Sequence, residues 1–241
     1  MSDSDNEIQK PEPPNATAVA RRALILCAIC YRGFVDTWPV TKHEPDPAVM
    51  AHDWLRALSL ETDLSAWEAQ LFSQPLGTLD QQDLINATWL SEGLAVLAWA
   101  LGRHPMPAFD EPCDPAAVSR ALGFLSRRSD TVLAQPQLRP MDELRDYNEF
   151  VYNVHWRLRD FSLMARPYDF ESLAKEAWGD PVIRFGLRLN KKDLDLGGLP
   201  LSQSGPDAYQ PLLGLTQERH RASNWLIGYR SSDFYEVTTD T

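Results

Sequence analysis

Apolar residues recur at helical spacing through most of the chain and alternate in only one short segment. Val19, Ala23, Cys27, Cys30 and Phe34 predict a first helix over about Thr17–Val35, with Arg21, Ile25, Arg32 and Asp36 towards its other faces. Pro39, Pro45 and Pro47 mark a loop. Within it, Asp46-Pro47 is an N-cap followed by proline at the first helical position. The helix it opens carries Val49, Met50, Trp54, Leu55 and Leu58. Ser65-Ala66-Trp67-Glu68 has the form of a capping box and predicts a short helix ending before Pro75.

The most informative helix runs over about Leu79–Leu101. Ile85, Trp89, Val96 and Trp99 form one apolar stripe, and Leu90, Leu94, Leu97 and Leu101 form a second. From Trp89 onward the pattern is apolar nearly all round, which places this helix in the middle of a core. Gly102 follows as its C-terminal cap.

Asp114-Pro115 repeats the cap-and-proline signal for a helix to about Leu125, and a looser stretch with Pro136 and Pro140 comes next. Leu144, Tyr147, Val151, Val154, Leu158 and Phe161 predict a long helix over about Met141–Met164. A short helix near Phe170–Trp178 follows Pro167. Within Val182–Ser202, Phe185, Leu187 and Leu189 alternate, as do Leu194 and Leu196, before Gly197-Gly198; this predicts one small hairpin. Thr216 caps a last helix over about Gln217–Gly228, with Ala222, Trp225, Leu226 and Tyr229 inward. The expectation is a mainly α protein: a multi-helix bundle around one central apolar helix, with at most one small β-hairpin. Residues 1–15 read as a disordered acidic tail and 16–241 as a single α-helical domain.

Composition narrows the class. Apolar residues make up 44% of 241, enough for a substantial core. The net charge is −11, of which four acids against one lysine in the tail contribute −3. Basic residues come in pairs and form no run, so no nucleic-acid footprint is read, and anionic lipid is disfavoured on the same ground. The longest purely apolar run, Gly93–Leu101, is too short to span a bilayer, and Met1–Pro14 has no apolar core of a secretory signal. Three cysteines in a chain of this length suit a reducing compartment, so the expected location is cytoplasmic.

Few residues carry candidate chemistry. Glu92 sits at the centre of an apolar stripe, where a carboxylate must be paired or shifted in pKa. It could serve acid–base chemistry or simply be a structural partner of a buried arginine, with Arg22, Arg159 and Arg219 in question. His155 flanks the core stripe of the long helix, and His220 lies in Glu218-Arg219-His220-Arg221 at the start of the last helix. Cys27-Ala28-Ile29-Cys30 lies mid-helix, where no helix-terminal field activates a thiol, so two core cysteines are expected. The histidines show no ligand spacing, and neither metal nor cofactor is expected. Gly-rich phosphate loops and Gly-x-Ser-x-Gly elbows are absent.

Several strings look familiar together. Arg21-Arg22-Ala23-Leu24-Ile25-Leu26 with Arg32-Gly33, Trp89-Leu90-Ser91-Glu92-Gly93-Leu94 with Trp99-Ala100-Leu101-Gly102, and His155-Trp156 with Arg159-Asp160 are three of them. Glu218-Arg219-His220-Arg221-Ala222 with Asn224-Trp225-Leu226 and the closing Asp240-Thr241 complete the set. The chain resembles a bacterial family of uncharacterised proteins, domain of unknown function 4272, with Phe234 standing where the resemblance leads one to expect tryptophan. The resemblance implies no activity. It implies a shared scaffold that includes Arg22, Glu92, His155, Arg159 and Glu218.

Two functions compete. One is a non-enzymatic protein-binding module, an adaptor or immunity-type protein for a basic partner, favoured by the acidity and the missing catalytic motif. Arg22, Trp156, Arg159, Glu218 and Arg219 are its candidate binding residues, and homo-oligomerisation is left open. The other is a small-molecule hydrolase or lyase using Glu92 and His155, with His220, in a pocket between helices. The state of Glu92 discriminates: a closed, dry setting favours binding, and a solvent-connected pocket where it meets an arginine and a histidine favours an enzyme.

Overall fold

In the computed structural model, residues 11–38, 45–178 and 185–241 are described. The expected tail up to residue 10, the loop at Pro39, His43 and the start of the alternating segment at Val182 fall outside them. Asn15 accepts the Ala18 N–H and caps α1 (Ala16–Asp36). Asp46 caps α2 (Pro47–Ala57) and Ser65 caps α3 (Ala66–Ser73), the latter with a complete capping box. Asp80 caps α4 (Gln81–Ala100) and Asp114 caps α5 (Pro115–Ala121). The remaining helices are α6 (Arg128–Ala134), α7 (Met141–Leu163), α8 (Phe170–Trp178) and α9 (Pro206–Leu226). The protein is mainly α, as the periodicity predicts.

The layering follows from α4. Every residue from Leu90 to Ala100 is buried, and α4 packs against α1 on one side and α9 on another, while α9 in turn packs on α7. Gly102, at φ +65°, ends α4 in the left-handed conformation, and the Arg103 N–H bonds back to the Ala98 carbonyl. The small sheet comprises β1 (Leu189–Asn190), β2 (Asp193–Leu196) and β3 (Leu199–Pro200), paired antiparallel in that order. The single predicted hairpin is therefore two hairpins sharing β2. Gly197-Gly198 turns the second, and Lys191-Lys192, both at positive φ, turn the first.

Several expectations need correcting. Val49 and Met50 are exposed; α2 buries Ala48, Ala51 and Leu55 instead. Ile25 and Arg32 are buried, because α1 is enclosed around much of its circumference. The stretch after α5 holds α6, which the prolines downstream obscure. Helix α9 begins eleven positions before Gln217, at Pro206, and carries Pro211 inside it. Thr216 is no cap: its hydroxyl is buried and donates to the Leu212 carbonyl one turn back.

Among the described residues three arginines are fully buried, and each ties loop backbone to a helix. Arg32 on α1 pairs with Asp36 and donates to the carbonyl of Leu71 near the end of α3 and to those of Gln74 and Pro75 in the α3–α4 connection. Asp36 returns the favour by accepting the Gly77 and Leu79 N–H groups at 2.7 and 3.0 Å. Arg157 on α7 forks onto Asp193 of β2 at 2.9 and 2.8 Å and also reaches the Arg166 carbonyl. Arg219 on α9 is the third.

The close approach of α1 to α4 at Gly33 tests this packing. A Cβ at Gly33 would stand 2.9 Å from the Cβ of Ala87 and 3.3 Å from the Thr88 backbone nitrogen. Neither neighbour is a flexible side-chain end. Gly33→Ala is expected to destabilise despite a helix-propensity gain of about 1 kcal/mol, since overpacking costs about 1–3 kcal/mol. Thermal unfolding checks this: a midpoint unchanged or raised would show that α1 and α4 are not so close.

Candidate functional site

A cavity of about 690 Å³ opens where α3, α4, α9 and the segment after α9 meet. This lies within the range of pockets that bury a ligand of several side-chain volumes. The first α4 stripe supplies Ile85 and Trp89, which the periodicity places in the core; both are 37–38% exposed and form the apolar floor. Trp89 lies against Gly214 of α9, where an added Cβ would be 3.1 Å from its ring. Helix α3 contributes Trp67, whose indole N–H donates to Asp83 at 2.7 Å. The acids are Glu218 on α9 and Asp233 and Glu236 beyond it, against one cation, Arg221, which pairs with Glu218 at 2.8 Å. Burial raises the Glu218 carboxyl above the ordinary value, against the pull of Arg221 and with a small push from Glu92.

The wall that carries the acids is held from behind. Phe234 and Val237 are buried, and the Trp225 indole N–H and Asn224 amide donate to the Ser232 and Thr238 carbonyls at 2.9 Å each. Tyr235 stands edge-to-face with Trp67, ring centres 5.6 Å apart, and its hydroxyl donates to Glu68 at 2.7 Å. Burial, then the negative Glu68, push the Tyr235 phenol well up, so it acts as a donor. The same Glu68 oxygen accepts Arg22 at 2.7 Å, and the other accepts the Ser65 N–H at 2.7 Å. The capping-box acid of α3 thus also fastens the far wall. Arg22 lies 5.9 Å from the centres of both the Phe234 and Tyr235 rings.

Of the sequence candidates, Glu218 lines the cavity and Arg22 stands behind its wall. Glu92 and Arg219 are engaged elsewhere. Arg219 donates to Glu92 at 2.9 Å and to the carbonyls of Ala108 and Glu111, while the other Glu92 oxygen accepts the Cys113 N–H at 2.9 Å. Both side chains are buried, and each is held by more than one partner. His155 and His220, 65 residues apart, form a separate buried pair with Nδ1 atoms 3.0 Å apart. One ring donates from Nδ1 and the other accepts there, so the accepting ring is neutral with its proton on Nε2. Burial lowers His155 to about 4, helped by Arg159, and lowers His220 to about 3, helped by His155.

Trp156 packs edge-on to Tyr168 and Arg159 is exposed on α7; neither lines the cavity. The structure therefore does not bring Glu92 and His155 together in an open pocket. Trp67, Asp233, Tyr235 and Glu236 are cavity residues that carry no sequence signal of their own, apart from the capping box beside Trp67. Cys27, Cys30 and Cys113 are buried free thiols, with Cys27 and Cys113 pushed up to about 12 by burial, so they are inert. Among the described residues no three His, Cys, Asp or Glu side chains converge as a metal ion requires.

A family model described as a domain of unknown function, DUF4272, matches residues 4–171. No curated protein and no solved structure matches the chain. The match takes in α1, α3 and α4, whereas α9 and the acidic wall lie beyond it.

Two predictions follow from these buried groups. Glu92→Ala would strand the Arg219 guanidinium and is expected to destabilise by about 3–5 kcal/mol, with Glu92→Gln costing less. Equal, negligible shifts of the urea midpoint for both would disprove the buried pair. The histidine values lie below the 6.5 of a free ring, so folding favours the neutral forms. Their contribution to stability is complete above about pH 6.5 and falls away as the pH drops towards the folded-state values. At pH 5.5, where a free histidine is about nine-tenths protonated, ring-nitrogen NMR is expected to find both neutral. An imidazolium signal from either would contradict the pair.

Proposed function

The chain belongs to the domain of unknown function 4272 family, and we propose that it is a binding protein that takes up a basic segment of a macromolecular partner. The observation that carries the reading is the cavity lining: three carboxylates against one guanidinium, set among Trp67, Trp89 and Tyr235. The overall charge of −11 acts in the same direction, speeding encounter with a basic surface and disfavouring nucleic acid. An adaptor or an immunity-type protein fits this description. A cytoplasmic setting is part of the proposal and rests on the buried free thiols. No helix among the described residues is long and apolar enough to cross a membrane.

Glu92 supports binding over catalysis. It is buried and engaged by Arg219 and the Cys113 N–H, so the most provocative acid in the sequence does not face the cavity. One observation favours the second reading, a hydrolase or lyase: Glu218 is a partly sheltered carboxyl with a raised pKa in an open cavity. It lacks a histidine beside it, since His155 and His220 face each other.

Probing an array of short peptides of varied charge separates the two. Basic segments are expected to bind, and to weaken by at least about tenfold between 0.1 and 1 M salt as the Debye length falls from about 10 to about 3 Å. Equal retention of acidic and basic peptides would overturn the proposal. So would turnover of small esters, amides or phosphates that is abolished in a folded Glu218→Gln variant.

A further inference from the structure

The cavity's residues allow a more specific statement, which rests on the binding reading above. We infer that the cavity is an arginine-side-chain receptor, accepting the guanidinium of an arginine flanked by apolar residues on the partner segment. Three features select this occupant. Asp233 and Glu236 are exposed at the cavity rim and make no ion pair among the described residues, whereas Glu218 already holds Arg221. Uncompensated carboxylates beside indole rings suit a flat cation, which can stack on a ring while forking onto an acid. A compact ammonium offers neither the stacking plane nor the fork.

The fold already seats one guanidinium in such surroundings. Arg22 pairs with Glu68 and lies 5.9 Å from the centres of the Phe234 and Tyr235 rings, on the far side of the same wall. The cavity side offers the corresponding ingredients, carboxylates on residues 233 and 236 and the indoles of Trp67 and Trp89, while its own cation, Arg221, is paired with Glu218. A volume of about 690 Å³ exceeds one arginine side chain, and the apolar floor of Ile85, Trp89 and Leu90 provides for its neighbours.

The test uses the peptide acetyl-Gly-Leu-Arg-Leu-Gly-amide with the full chain. Binding is followed by the indole N–H resonances of Trp67 and Trp89. Two sister peptides carry citrulline, which keeps the shape and removes the charge, or lysine, which keeps the charge and removes the plane. The arginine peptide is expected to shift both indole signals saturably, and the other two to bind about tenfold more weakly or less. Asp233→Asn with Glu236→Gln keeps the side-chain shapes, including the acceptor for the Tyr235 N–H. This double variant is expected to lose about tenfold in affinity while its thermal midpoint is unchanged.

Equal binding of the citrulline or lysine peptide would overturn the guanidinium assignment. Basic array peptides that bind the double variant as well as the parent protein would overturn the cavity assignment while leaving the wider binding reading intact. Failure of every basic peptide, on the array and in solution, would remove both.

Discussion

A guanidinium buried in this protein has no water to satisfy its five N–H groups, and the fold is arranged around that demand. Arg32 and Arg219 each meet one carboxylate and Arg157 meets two, Asp193 and Asp160, and all three also donate to carbonyls of non-helical backbone. Helices alone would leave those carbonyls unpaired wherever a connection is buried. The arginines reach them from the side, so the α3–α4 connection, the segment before α8 and the loop between α4 and α5 are each held by an otherwise rigid helix. Such nodes are weak evidence of net stabilisation, because desolvation of both charges offsets most of the attraction. What they do fix is position: each node ties a stretch of connecting backbone to one place on a helix.

The cavity exists because a fourth arginine is used differently. Arg22 is not fully buried, and its partner Glu68 already has a task as the capping acid of α3. The lone pairs left on Glu68 take the Tyr235 hydroxyl, which pins the segment after α9 across a space that α3, α4 and α9 do not fill. The acids at 233 and 236 are presented at the rim by a backbone that Phe234 and Val237 fix in the core.

Much of this could be read from the sequence, and what could not has physical causes. Helix α4 was plain because eleven consecutive residues are buried all round and its caps are strong. Glu92 was marked as buried and paired by its place on a stripe, since a free charge is not tolerated there. The first half of α9 is hidden by Pro206, Pro211 and Gly214, which read as breakers, although Pro206 is at the first helical position where no N–H is needed, Pro211 sits inside the helix, and Gly214 is the space under Trp89. Ile85 and Trp89 kept core spacing yet floor an open cavity, because periodicity reports the face of a helix and not whether another element covers it. The histidine pair and the Tyr235–Glu68 bond join positions 65 and 167 residues apart, and such separations leave no local motif.

That last bond has a consequence for synthesis. The residues that form the floor of the cavity and those that form its acidic wall are made far apart in time, with α5 through α9 translated between them. Until Tyr235 emerges, Glu68 has one partner fewer and the indoles of Trp67 and Trp89 lack the wall beside them. A nascent chain therefore displays its apolar floor to solvent or to chaperones for most of elongation, as folding proceeds from the N-terminal side. Once the wall arrives, the same rings line one side of a cavity, so the order of translation turns a transient aggregation hazard into an enclosed surface.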